Sequence, residues 1–222
     1  MLVANPLLLD PAASYTFRNY FEMRFAPADI LADFGCTLKR AALSLPRSTW
    51  DTSALRQRIE AYLPYISLTS ESARRESLVA PILLELAQTV KTPLQIEYPL
   101  EVNQYLKGEL DYYLNSQYNL IVVEAKNADL TRGAVQLAVE LIALNLWVAK
   151  RRGITSLVAP LTGVVTTGDI WQFSQYDPSQ QQITQDLALY RIPEDLEPLA
   201  QTLKGILENT CSPENLALSA GS

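Results

Sequence analysis

Apolar residues recur along the chain with two different periods, and the changes of period mark out its elements. In "LTSESARRESLVAPILLELAQTV" (68–90), Leu78, Val79, Ile82, Leu83 and Leu86 fall at helical spacing behind the cap candidates Thr69 and Ser70. Pro81 should bend this helix and Pro93 closes it. "LQIEYPLEV" and "GELDYYLNS" read as two strands, and a polar turn around Gln117 leads to a third, "LIVVEAK". A long helix follows from about Leu130 to Arg152. It is apolar around most of its circumference, stops at Gly153, and should lie buried against the sheet. "SLVAPLTGVVTTGDIWQFSQYD" supplies two further strands around a turn at Thr167–Gly168, with Trp147, Trp171 and Phe173 reading as core.

Outside this stretch the pattern is weaker. Residues 1–66 read as a mostly helical extension without a fold of its own, with amphipathic pieces at "YTFRNYFEMRF" and "DTSALRQRIEAYLPYI". Residues 67–178 form the core, and 179–222 hold a short helix near "PEDLEPLAQTLKGILENT" and an acidic, frayed tail.

Three charges break the apolar run of the second and third strands. If "GELDYYL" and "LIVVEAK" pair as an antiparallel hairpin turning near Gln117, Asp111 lies opposite Glu124. Two carboxylates so placed repel unless a divalent cation sits between them, and oxygen ligands of this kind are what Mg²⁺ takes. Strand alternation puts Lys126 on the same face as Glu124. A metal that polarises a phosphoryl oxygen and acidifies a bound water, beside an ammonium that offsets growing charge, is the equipment of phosphodiester hydrolysis. The bland reading is an edge hairpin with solvated charges, which the apolar neighbours Leu120 to Val123 argue against.

Composition narrows the chemistry. The chain contains no histidine, which excludes Ser/His and Cys/His nucleophiles and removes the commonest transition-metal ligand. Cys36 and Cys211 offer neither a disulfide framework nor zinc spacing. No apolar run reaches the ~20 residues that span a bilayer, and the opening "MLVANPLLLD" has no basic region ahead of its apolar residues, so a cytoplasmic protein with no membrane partner is expected. The net charge of −6 resides in the C-terminal part: from Asp169 onward eight acidic residues face only Arg191 and Lys204. Residues 1–168 are neutral, so the acidic balance does not exclude an anionic substrate at the core.

The order of elements, with "GELD", thirteen residues from Asp111 to the Glu of "EAK", and a following helix bearing a Gln, resembles the PD-(D/E)XK nuclease superfamily. Its nearest branch is the nuclease domain at the N-terminus of type I restriction-enzyme motor subunits. The resemblance covers about residues 69 to 176 and includes Glu71, Arg75, Leu78, Val79, Pro81 and Leu83 of "ESARRESLVAPIL" and the turn "GVVTTGDIWQF". It departs at Leu110, where the name-giving Pro would stand. The resemblance implies an α/β fold with a restriction-endonuclease-like αβββαβ core, a mixed central sheet and flanking helices. It also implies Asp111 and Glu124 as metal ligands, Lys126 as catalytic lysine, Glu71 as an extra acidic residue near the metal, and Gln136 as a catalytic polar group. The cofactor would be Mg²⁺, with Mn²⁺ as substitute. The partner would be nucleic acid, DNA by family habit, with a homodimer or a larger restriction or repair complex as further partners.

The secondary candidates have plainer readings. The plainer reading of Glu71 is a first-turn carboxylate that complements the helix dipole, with Glu76 as its substitute near the metal. Gln136 and Glu140 share a helix face that is either site-facing or an exposed edge. Lys150, Arg151 and Arg152 complement the helix dipole, with phosphate contact as the alternative, and Tyr112 and Tyr113 read as strand packing. Against the nuclease stands a non-catalytic interaction or scaffold module retaining the fold, favoured by the lack of a basic stripe.

Overall fold

The computed structural model describes residues 7–115, 120–125 and 129–208; for Asn115 and 120–125 it describes the backbone alone. Two short helices open the chain, α1 (Phe17–Glu22) and α2 (Pro27–Ala32), followed by strand β1 (Thr37–Arg40) and helix α3 (Ser53–Tyr62). Next comes one nearly continuous helix in three parts: α4 (Glu71–Arg74), a π-helical turn (Arg75–Val79) and α5 (Ala80–Val90). Strands β2 (Leu94–Asn103), β3 (Leu106–Asn115) and β4 (Leu120–Ala125) lead to α6 (Leu130–Arg152). Strands β5 (Leu161–Thr166), β6 (Ile170–Asp177), β7 (Gln182–Gln185) and β8 (Tyr190–Arg191) precede the last helix, α7 (Leu196–Glu208).

Among the described residues all eight strands belong to one mixed sheet, ordered β1-β7-β6-β5-β4-β3-β2, with β8 also pairing with β6. Pairing is parallel for β1 with β7 and β4 with β5, and antiparallel elsewhere. The protein is therefore of the α/β class, a mixed sheet flanked by helices. On one face α1, α2 and α6 cover a core that includes Phe17, Tyr20, Leu110, Tyr113 and Val165. On the other, α3, α5 and α7 cover a second core built on Leu55, Leu83, Tyr112, Trp171 and Leu203.

Local chemistry explains where the helices begin and end. Ser70 caps α4, its Oγ accepting from the N–H of Ala73 at 3.1 Å. Pro81 has no N–H to give the carbonyl of Ser77, and the hydroxyl of Tyr62 donates to that carbonyl instead. The irregularity expected at Pro81 thus takes the form of a π turn just ahead of it. Helix α6 starts on Asp129, whose side chain accepts from the Arg132 N–H, and stops at Gly153 with φ 72°. By length and composition α6 could cross a membrane, but 83% of its most apolar window is buried within the fold.

Three features differ from the sequence reading. Strand β1 lies within the stretch expected to be helical, and β7 and β8 lie where only a helix was expected. Trp147 is half-buried and packs against the edge of the core rather than within it, with Arg151 over its ring at 4.6 Å. Trp171 and Phe173 are fully buried as expected.

Candidate functional site

Strand β3 carries the centre of the site. Its pairing with β4 runs from Tyr112↔Val123 to Asn115↔Leu120, which leaves Asp111 and Glu124 as the residues flanking the last pair of the ladder. Asp111 also sits where the pleat changes phase. Leu110 packs into the core beneath α6, whereas Tyr112, two residues on, packs into the opposite core. Across from Asp111 on β2, Glu97 has a φ of 52°, outside strand geometry. Irregularities of this kind re-aim a side chain at a sheet's working surface.

A cleft of about 650 Å³ opens here, and Asp111, Glu71 and Gln136 all line it. They come from three elements: β3, the first turn of α4, and α6. Glu76 lines a different hollow with Tyr62 and Pro81, so of the two candidate helix carboxylates Glu71 faces the cleft. Glu22, Glu109 and Arg18 also line it, and no sequence signal pointed to them. Glu22 and Arg18 arrive on α1, where they form an ion pair at 3.0 Å. Helix α1 can rest on β3 because residue 108 is glycine: with φ 146° and the Phe17 ring 2.8 Å from where a Cβ would lie, Gly108 leaves room for nothing larger.

Gln136 and Glu140 are buried, not an exposed edge. The amide Nε2 of Gln136 donates to Glu140 Oε1 at 2.8 Å. This bond turns Nε2 toward Glu140, and Oε1 is the other end of the amide. That oxygen is buried and has no hydrogen-bond partner among the described residues.

Arg75, one turn after Glu71, ties the helix to the strands. Its Nε donates to Tyr112 Oη at 3.3 Å and its Nη2 to Glu97 Oε1 at 3.2 Å. Burial works against its charge, but the interactions with Tyr112, the bond to Glu97 and the charge of Asp111 outweigh it, so the guanidinium is held protonated more firmly than usual. The turn between β5 and β6 closes the neighbouring side. Gly168, with φ 97°, sits against Arg74, and the indole N–H of Trp171 donates to the Gly168 carbonyl at 2.8 Å.

Searches of family models, curated proteins and solved structures find nothing that matches the chain.

The donors facing the cleft are carboxylates and an amide oxygen, the hard ligands that suit Mg²⁺. Gln136 Oε1 in particular is a buried acceptor in want of a cation or a water. In chemical kind the residues fit such an ion. Among the described residues no three acidic, histidine or cysteine side chains converge as a metal cluster. The Glu124 side chain and the whole of Lys126 lie outside the described residues.

Proposed function

We propose that the protein is a metal-dependent nuclease with a restriction-endonuclease-like core, hydrolysing phosphodiester bonds in nucleic acid, DNA first. The observation that carries this reading is the cleft in which Glu71, Asp111 and Gln136 meet from three separate elements. Further support comes from the helix–three strands–helix–strand order between Glu71 and Thr166, with β4 and β5 parallel across α6.

Asp111 and Glu124 would hold a Mg²⁺ or Mn²⁺ ion, with Glu71 as a further carboxylate nearby. The bound ion would supply Lewis acidity and lower the pKa of a water. Around it, the chain's own groups have distinct tasks. The Gln136 Oε1, oriented by Glu140, accepts a hydrogen bond from a water or ligand group in the cleft. Arg75 braces β3 against the helix and balances the acidic charge beside it. Lys126 orients the attacking water or steadies charge on the phosphate.

The test is cleavage of linear, circular and single-stranded DNA and of RNA with Mg²⁺ or Mn²⁺. Wild type should cut at least one of them, and Asp111→Asn and Lys126→Ala should lose at least about 100-fold in rate. Cutting that survives both substitutions would sink the proposal. A scaffold reading draws on one observation: the cleft is lined by Glu22, Glu71, Glu109 and Asp111 against Arg18, a charge balance that repels a polyanion unless a cation is bound.

A further inference from the structure

The basic last turn of α6 does more than face the helix dipole. Arg151 and Arg152 border a second cleft, of about 440 Å³, that shares no lining residue with the acidic one and is walled by Tyr98, Tyr113 and Trp147. Both arginines are exposed, and among the described residues neither makes an ion pair. Arg151 stacks on Trp147, and Trp147 in turn meets Tyr98 edge to face at 5.8 Å. Stacking fixes a guanidinium by its face and leaves its N–H edge directed outward, the arrangement that grips oxyanions.

Tyr113 supplies the second, independent sign. It is 2% exposed, lines this cleft, and its Oη has no hydrogen-bond partner among the described residues. A buried hydroxyl left unpaired is costly, so its retention in the core that Leu106 and Leu110 share with it asks for an acceptor. Burial and Tyr98 raise its pKa while Arg151 and Arg152 lower it, with burial dominant, so at neutral pH it remains a proton donor.

We propose that Tyr113, Arg151 and Arg152 form a binding site for a phosphate group, separate from the acidic cleft. A carboxylate has two oxygens and is satisfied by one guanidinium; two guanidiniums from α6 and a hydroxyl from β3 lining one cleft suit a group with more oxygens and more charge. The phosphate belongs either to a nucleic-acid backbone or to a small phosphorylated molecule. This site does not depend on the nuclease reading.

Calorimetric titration of the whole chain in EDTA, which takes any metal in the acidic cleft out of play, tests it with two probes: inorganic phosphate and a short single-stranded DNA. Wild type should bind at least one. Arg151→Gln/Arg152→Gln should weaken that binding about 100-fold, and Tyr113→Phe, which removes no charge, about tenfold. Weakened DNA binding identifies a backbone phosphate, whereas an effect on inorganic phosphate alone identifies a small phosphorylated ligand. The charge-matched variant Lys39→Gln/Lys91→Gln should bind as wild type, which keeps the arginine result decisive if Tyr113→Phe fails to fold. Wild type binding neither probe, a folded Tyr113→Phe binding like wild type, or an equal loss in the lysine variant would each overturn the site.

Discussion

Tyr62 shows how one hydroxyl decides the course of a helix. Its donation to the Ser77 carbonyl replaces the bond that Pro81 cannot make, and the helix passes through a π turn and continues as α5. Tyr62→Phe keeps the ring and deletes only that donor. The expected cost is about 1–2 kcal/mol, read as a lower urea midpoint with an unchanged m-value. Should the midpoint stay put, water or another group satisfies the carbonyl and the account is wrong. Asp33 makes a comparable single-residue anchor. It is buried, and its carboxylate accepts from the N–H groups of Leu7, Leu8 and Leu9 at 2.7–2.9 Å, fastening the start of the described chain to α2.

Among whole elements, the sheet's covering depends on close approaches that leave no mark on hydrophobic pattern. Helix α7 lies so near the segment leading into α3 that a Cβ on Gly205 would sit 2.5 Å from the Pro46 carbonyl oxygen and 2.7 Å from the Arg47 Cα. Backbone cannot swing aside as a side chain can. Gly205→Ala should therefore destabilise by about 1–3 kcal/mol despite alanine's better helix propensity, and a neutral or raised melting point would refute the close contact. The same distinction explains what the sequence could and could not disclose. Helix α6 and strands β2 to β6 were legible because each carries a long apolar period. Strands β1 and β7, "TLKR" and "QITQ", are four residues each and hold too few apolar positions for a period; β7 is a strand because it pairs with β6, and β1 because it pairs with β7. In the site, the pairing of Tyr112 with Val123, beside Asp111 and Glu124, followed from the length of a hairpin. Glu22 and Arg18 did not, because they reach the cleft on α1, through the seating of Phe17 on Gly108; Glu109 lies on β3 itself, where no pattern singled it out. For Arg151 and Arg152 the sequence left phosphate contact as one of two readings, because Tyr113, which lines the same cleft, is far away in sequence.

At the scale of the whole molecule, a cation held between β3 and β4 would stabilise the native state by mass action. Mg²⁺ or Mn²⁺ at about 100 times its dissociation constant adds about 2.7 kcal/mol, enough to raise Tm by several degrees in a chain of this length. Asp111→Asn should abolish that shift. A wild-type Tm unmoved by millimolar metal would argue for the scaffold. The pairing of β1 with β7 has a different consequence, for the time course of folding. Thr37 meets Gln182, a separation of 145 residues, so an edge of the sheet is written near the start of the chain and completed near its end. On a ribosome β1 would emerge long before its partner exists, and closing so wide a loop is what makes a topology slow to fold. Until then "TLKR" must wait with its backbone unpaired, and the two positive charges it carries are the kind of feature that keeps a waiting strand from joining the wrong neighbour.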